Sequence, residues 1–148
     1  MSVRPLTRAG EGPVWLRLPA CPEAMPVVRQ AVAGLGDALG ADEATVADIS
    51  VAVCEACANV VVHAYPDGGP LELETWASDR RLVVVVRDRG PGIAPKVRGA
   101  STGLGLGMPL MAALSSQVCF TSPRPGTNEV WMTFRLDERA AAEDVASQ

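Results

Sequence analysis

Aromatic side chains are scarce in this sequence: three Trp, two Phe and one Tyr, 4% of 148 residues. The core must therefore be filled mainly by Val, Leu and Ala. With 48% of residues hydrophobic there are enough of them for one sizeable core. Basic excess is lacking as well. Thirteen Lys and Arg face seventeen Asp and Glu, a net charge of −4, which argues against nucleic acid as a direct partner. The opening "MSVRPLTRAGEGP" has no apolar core of a signal peptide. No stretch reads as the roughly 20 apolar residues of a membrane span. The expectation is a cytoplasmic protein with no membrane partner. Cysteine occurs four times and histidine once. The C-x-x-C of Cys54 and Cys57 falls in mid-helix with no second close pair, so small buried thiols in a reducing compartment are expected rather than zinc or redox chemistry.

The chain reads as a single domain over 1–148, with a loose arm at 1–12 and a polar tail at 137–148. "VWLRLPA" (14–20) alternates like a strand. A helix is expected over 22–40, and its apolar side is a candidate partner face or a core face. A second helix is expected over 42–65, opened by acidic residues and stopped by Pro66. Strands 70–78 and 81–88 flank a tight turn at Asp79 and Arg80, the second nearly all apolar and hence central. A Gly- and Pro-rich loop fills 89–107, a length that points to function or disorder. A short helix (108–117) and a hairpin (118–123 and 128–136) follow. The order β-α-α-β-β-α-β-β predicts an α+β two-layer sandwich: a mostly antiparallel, mixed sheet with helices on one face.

Three stretches carry chemistry. On the second helix Glu55, Asn59 and His63 recur every four residues, about 40° apart on one stripe at 100° per residue. An amide oxygen suits Mg²⁺, which takes few protein ligands, and a carboxylate can deprotonate a hydroxyl. A solvated stripe has the same pattern. In "RDRGPGI" (87–93), Asp88 can accept a hydrogen bond from a purine's exocyclic amine. Gly90 and Gly92 allow close backbone approach, and a plain Asp-Gly turn reads alike. "STGLGLG" (101–107) exposes backbone N–H groups ahead of a helix N-terminus, which favours an anion.

Taken in order, E-x-x-x-N on a helix, D-x-G-x-G after a strand and G-x-G-x-G before a helix resemble the N box and two glycine boxes of the Bergerat-fold ATPase superfamily. That superfamily includes gyrase, histidine kinases and mismatch-repair ATPases. The resemblance covers roughly residues 10–136. It is strongest to the bacterial anti-sigma-factor serine kinases, whose N box is similar to "EACANVVVHAYPDG". It implies an ATP- and Mg²⁺-dependent protein serine/threonine kinase. Glu55 would be the general base, Asn59 the metal ligand and Asp88 the adenine reader. Gly90 and Gly92 would border the base, and Ser101, Thr102, Gly103, Leu104, Gly105 and Gly107 would hold the phosphates. The implied partners are a sigma factor and an anti-sigma-factor antagonist, with a homodimer as a further expectation. Only ten residues separate Gly92 from Gly103, a short lid for this family. That leaves a nucleotide-dependent binding protein without turnover as the alternative. His63 is open between a phosphate contact and a helix-end role.

Overall fold

The computed structural model describes residues 13–90 and 107–136. Its elements are β1 (Val14–Pro19), α1 (Ala24–Ala38), α2 (Glu43–Asn59), a π-helical turn (Val60–Ala64), β2 (Pro70–Ser78), β3 (Arg81–Asp88), α3 (Gly107–Leu114), β4 (Gln117–Arg124) and β5 (Thr127–Arg135). This is the expected α+β order. The five strands form one sheet in the order β1-β2-β3-β5-β4. Every pair is antiparallel, so the expected mixed sheet is corrected to an antiparallel one. The physical reason lies in the crossover: α3 and β4 carry the chain past the edge, and β5 comes back beside β3 running against it.

β3 is central and its burial shows it. Leu82, Val84, Val85 and Val86 are all buried. Residues Asp79 and Arg80 both take the left-handed conformation, with φ of 51° and 59°, as a two-residue hairpin between right-twisted strands requires. The β2 face that alternates inward supplies Leu71, Leu73 and Thr75 to the helix side.

α2 starts where Asp42 accepts a hydrogen bond from the Thr45 N–H at 2.7 Å, which satisfies one of the orphan donors of the first turn. It packs between α1 and α3 above the sheet and is apolar nearly all round for that reason. Together with the π turn it makes 22 residues, Glu43–Ala64, of mean hydropathy 1.7, long and apolar enough by length and composition to cross a membrane. This corrects the expectation that no stretch comes near that length. Ile49, Ala52, Val53, Ala56, Cys57, Val60 and Ala64 of this helix lie in the core cluster with the sheet residues. The apolar stripe of α1 also goes to the core, through Ala24, Val28 and Val32.

Candidate functional site

The helix expected to run straight through 65 changes its winding after Asn59. Val60–Ala64 form a π turn, with i→i+5 bonding and a wider circumference than the α-helix. Glu55 and Asn59 remain on α-helical spacing and are both half-buried. His63, also half-buried, sits beyond the change of pitch, so the 40° step that links Glu55 to Asn59 does not carry on to it. The three-residue stripe is thus a two-residue stripe plus a helix-end histidine.

The turn brings its own end against the exit of β3. A Cβ added at Gly90 would collide with the Ala64 carbonyl oxygen. Backbone meets backbone there, which only glycine permits. Asp88, the last residue of β3, is 2% exposed. Its Oδ1 accepts the Gly90 N–H at 2.8 Å and the Asn128 side-chain amide at 3.0 Å. The same Asn128 amide donates to the Gly90 carbonyl at 3.0 Å, and Ser122 donates to the Asn128 Oδ1 at 2.9 Å. Among the described residues, the hydrogen bonds to Asp88 therefore gather on one oxygen and hold the carboxylate in one orientation.

Tyr65 fastens the same corner from the helix side. Its hydroxyl donates to the Pro70 carbonyl at 2.6 Å and accepts the Arg89 N–H at 2.7 Å. Burial pushes this phenol above its usual range, the charges of Asp88 and Glu72 push the same way, and the Arg89 hydrogen bond offsets part of it. Asn128 and Tyr65 were not singled out by sequence reasoning as holding this corner. Asn128 carries no local motif, because its role arises from β5 pairing with β3 across 40 residues. Tyr65 lies within the stretch similar to an N box, and that place in the sequence is the signal that marks it.

α3 starts at Gly107. Its far end, at Leu114 and Ser115, lines a cleft with Thr45 and Asp48 near the start of α2. The two helices therefore run antiparallel, and the positive N-terminal end of α3 points toward the half of α2 that carries Glu55 and Asn59. Gly92, Ser101, Thr102, Gly103, Leu104 and Gly105 lie outside the described residues. Cys54 and Cys57 are free thiols, the latter buried. Among the described residues no three His, Cys, Asp or Glu side chains gather as a metal cage.

Residues 18–134 match the histidine kinase-like ATPase domain. The chain belongs to that family. It is similar to the serine-protein kinase RsbW of Halalkalibacterium halodurans, at 40% identity over 75 residues, 51% of this chain and 46% of that protein. It is also similar to RsbW of Bacillus pumilus, at 29% over 120 residues, 70% of this chain and 74% of that protein. The chain spans about half the length of the first of these relatives and of other RsbW proteins that it matches. Among solved structures, the RsbU and RsbW domains of Rv1364c from Mycobacterium tuberculosis align over 84% of this chain and 32% of that one, with TM-score 0.68 and 25% identity. The histidine kinase domain from Erythrobacter litoralis EL346 shares the fold, with TM-score 0.55 and 17% identity.

Proposed function

We propose that the chain is an ATP-binding anti-sigma factor and serine/threonine protein kinase that holds a sigma factor and phosphorylates an antagonist protein in the cytoplasm. The observation that carries the nucleotide reading is the clamp on Asp88. A buried carboxylate is held on one oxygen by Gly90 and Asn128, beside a glycine that leaves room only for backbone. An acceptor fixed in this way suits the exocyclic amine of adenine. The donor set also fits the metal: one neutral amide, Asn59, is enough protein for Mg²⁺, which keeps its other positions for water and phosphate. When bound, that ion would offset charge developing on the transferred phosphoryl group.

Glu55 stands one helical turn before Asn59 on the same stripe. In this role it accepts the proton of the attacking serine or threonine hydroxyl. The N-terminus of α3 favours negative charge in front of Glu55 and Asn59, and the glycines ahead of it supply N–H groups to the phosphates. The likeness to proteins named serine-protein kinase RsbW supports a protein hydroxyl as acceptor.

The test is incubation of the purified chain with γ-labelled ATP and small candidate antagonists from the same genome. Wild type should transfer label. Glu55→Gln should still bind ATP but transfer roughly 10²–10⁴-fold more slowly. Asn59→Ala should lose magnesium-dependent binding as well as transfer. Equal transfer by wild type and Glu55→Gln would remove Glu55 from the mechanism. No transfer by wild type, with partner binding still sensitive to nucleotide, would favour the binding protein without turnover.

A further inference from the structure

Three polar side chains stand in one row across the end of the sheet. Asp88 on β3 lies opposite Asn128 on β5. Thr121 on β4 lies opposite Glu129, so one step further along both strands Ser122 meets Asn128. The regular register breaks just there, between Thr121 and Arg124, where Pro123 has no N–H to give to a ladder. β4 is an edge of the sheet. The row therefore runs from the inside of the molecule to its surface: Asp88 is buried, Asn128 half-buried and Ser122 exposed.

The hydrogen bonds along this row have a direction. A primary amide carries two hydrogens at one end and an acceptor oxygen at the other. The two ends are nearly equal in size, so packing alone does not choose between them. The Asn128 Nδ2 faces two acceptors, the Asp88 Oδ1 and the Gly90 carbonyl, each at 3.0 Å. Both of its hydrogens are thereby used. Its Oδ1 points the other way and takes the hydrogen of the Ser122 hydroxyl at 2.9 Å. Without that hydroxyl the amide oxygen loses its donor and the side chain loses a restraint. An acceptor without a hydrogen at the same place would draw the Nδ2 end toward itself and set the amide oxygen against the Asp88 carboxylate.

We infer that Ser122 is a specificity-determining residue for the nucleotide base, a positioning residue that acts on Asp88 through Asn128. The inference rests on the reading of Asp88 as the acceptor of the adenine amine. The Gly90 N–H and the Asn128 amide both tie down Oδ1 of that carboxylate, and the other oxygen is the one that takes the amine. Where that oxygen points depends on how firmly Oδ1 is held. A slack or reversed Asn128 amide lets the carboxylate swing, and the amine is then held less well. The effect is confined to the base edge, because Ser122 reaches it only along this row. Binding energy drawn from the sugar and the phosphates does not pass through Asn128.

The test is calorimetry of the whole chain with two magnesium nucleotides, ATP and the triphosphate of purine riboside, which is ATP without the exocyclic amine. Ser122→Ala should weaken ATP binding roughly threefold to tenfold and leave binding of the amine-free nucleotide unchanged. Ser122→Thr keeps the hydroxyl and should restore the wild-type preference. Ser122→Asp, which offers only an acceptor, should weaken ATP binding more than Ser122→Ala does. In an Asn128→Ala background Ser122→Ala should have no further effect, since the link it acts through is gone. Without nucleotide, hydrogen exchange of the Asn128 side-chain amide, followed by NMR, should be faster in Ser122→Ala than in wild type. A wild-type preference for ATP that Ser122→Ala leaves intact would overturn the inference alone. So would an equal loss for both nucleotides, which marks a merely structural role, or a loss in Ser122→Ala that Ser122→Thr does not repair. Equal wild-type affinity for the two nucleotides would remove the Asp88 reading, and the role of Ser122 with it.

Discussion

One side-chain amide, that of Asn128, reaches both the Asp88 carboxylate and the Gly90 carbonyl at 3.0 Å, so β5 fixes the orientation of a residue on β3. Asn128→Ala removes both bonds, each worth about 1 kcal/mol net. Calorimetry should show ATP binding weakened roughly tenfold or more, with the thermal midpoint lowered by roughly 4–8 °C. Asn128→Asp should weaken it further, since two carboxylates would then face each other.

Asp88 itself should set the base preference. A carboxylate pairs with the exocyclic amine of adenine, whereas guanine presents a carbonyl oxygen at that place and leaves both groups unpaired. ATP should outbind GTP by a margin typical of polar discrimination, roughly 10²-fold or more. Asp88→Asn should erase most of the difference. Equal affinity of wild type for the two nucleotides would remove Asp88 as the base reader.

The Tyr65 hydroxyl joins β2 to the exit of β3. Tyr65→Phe loses the bonds to Pro70 and Arg89 and should cost about 1–2 kcal/mol in urea unfolding. Gly90→Ala should cost more, because its methyl would press on the Ala64 backbone rather than on a movable side chain.

Burial holds the Cys57 thiol far above its usual range, with a direct consequence for alkaline stability. The folded chain keeps the thiol neutral where the unfolded chain ionises it. Stability is therefore full below the ordinary thiol value of about 8.5 and falls as pH rises beyond it. Urea midpoints from pH 7 to 10 should drop less steeply in Cys57→Ala than in wild type. A thiol reagent should label exposed Cys119 in the native chain and Cys57 only on unfolding.

Thr75 is 4% exposed, and its hydroxyl finds no partner among the described residues. Thr75→Val keeps the shape and removes the unpaired group, so it should stabilise the fold by about 1 kcal/mol, read as a raised urea midpoint.

The pattern of local residues carried most of the fold. Period-two alternation located β1 and β2, the apolar run of 82–86 located the centre of the sheet, and Asp79-Arg80 located its tight turn. What local pattern does not hold is distance. That β5 lies against β3, and hence that Asn128 meets Asp88, follows from packing between segments 40 residues apart. The π turn was hidden for a related reason. Val60–Ala64 look like ordinary helix text, and no propensity among them marks the wider winding, whose end lies against Gly90 at the exit of β3. Glu55, Asn59 and Asp88 stand out as candidates because polar residue types are poorly suited to a core, and Gly90 because it follows Asp88 at a strand end. Tyr65 and Asn128 do not, since each is common at a strand or helix boundary for bland reasons.

The strand order also dictates a timetable. β3 sits between β2 and β5, so one edge of the central strand is bare until residues beyond 127 leave the ribosome. At about 5–20 residues per second, the stretch from Asp88 to Asn128 takes a few seconds to synthesise. Any pairing of β2 with β3 made in that interval leaves an open, Val-rich edge, the kind of edge that invites the wrong strand. The residue that orients Asp88 comes off the ribosome about forty residues after Asp88 itself, so competence at this corner is a late event in the life of the chain.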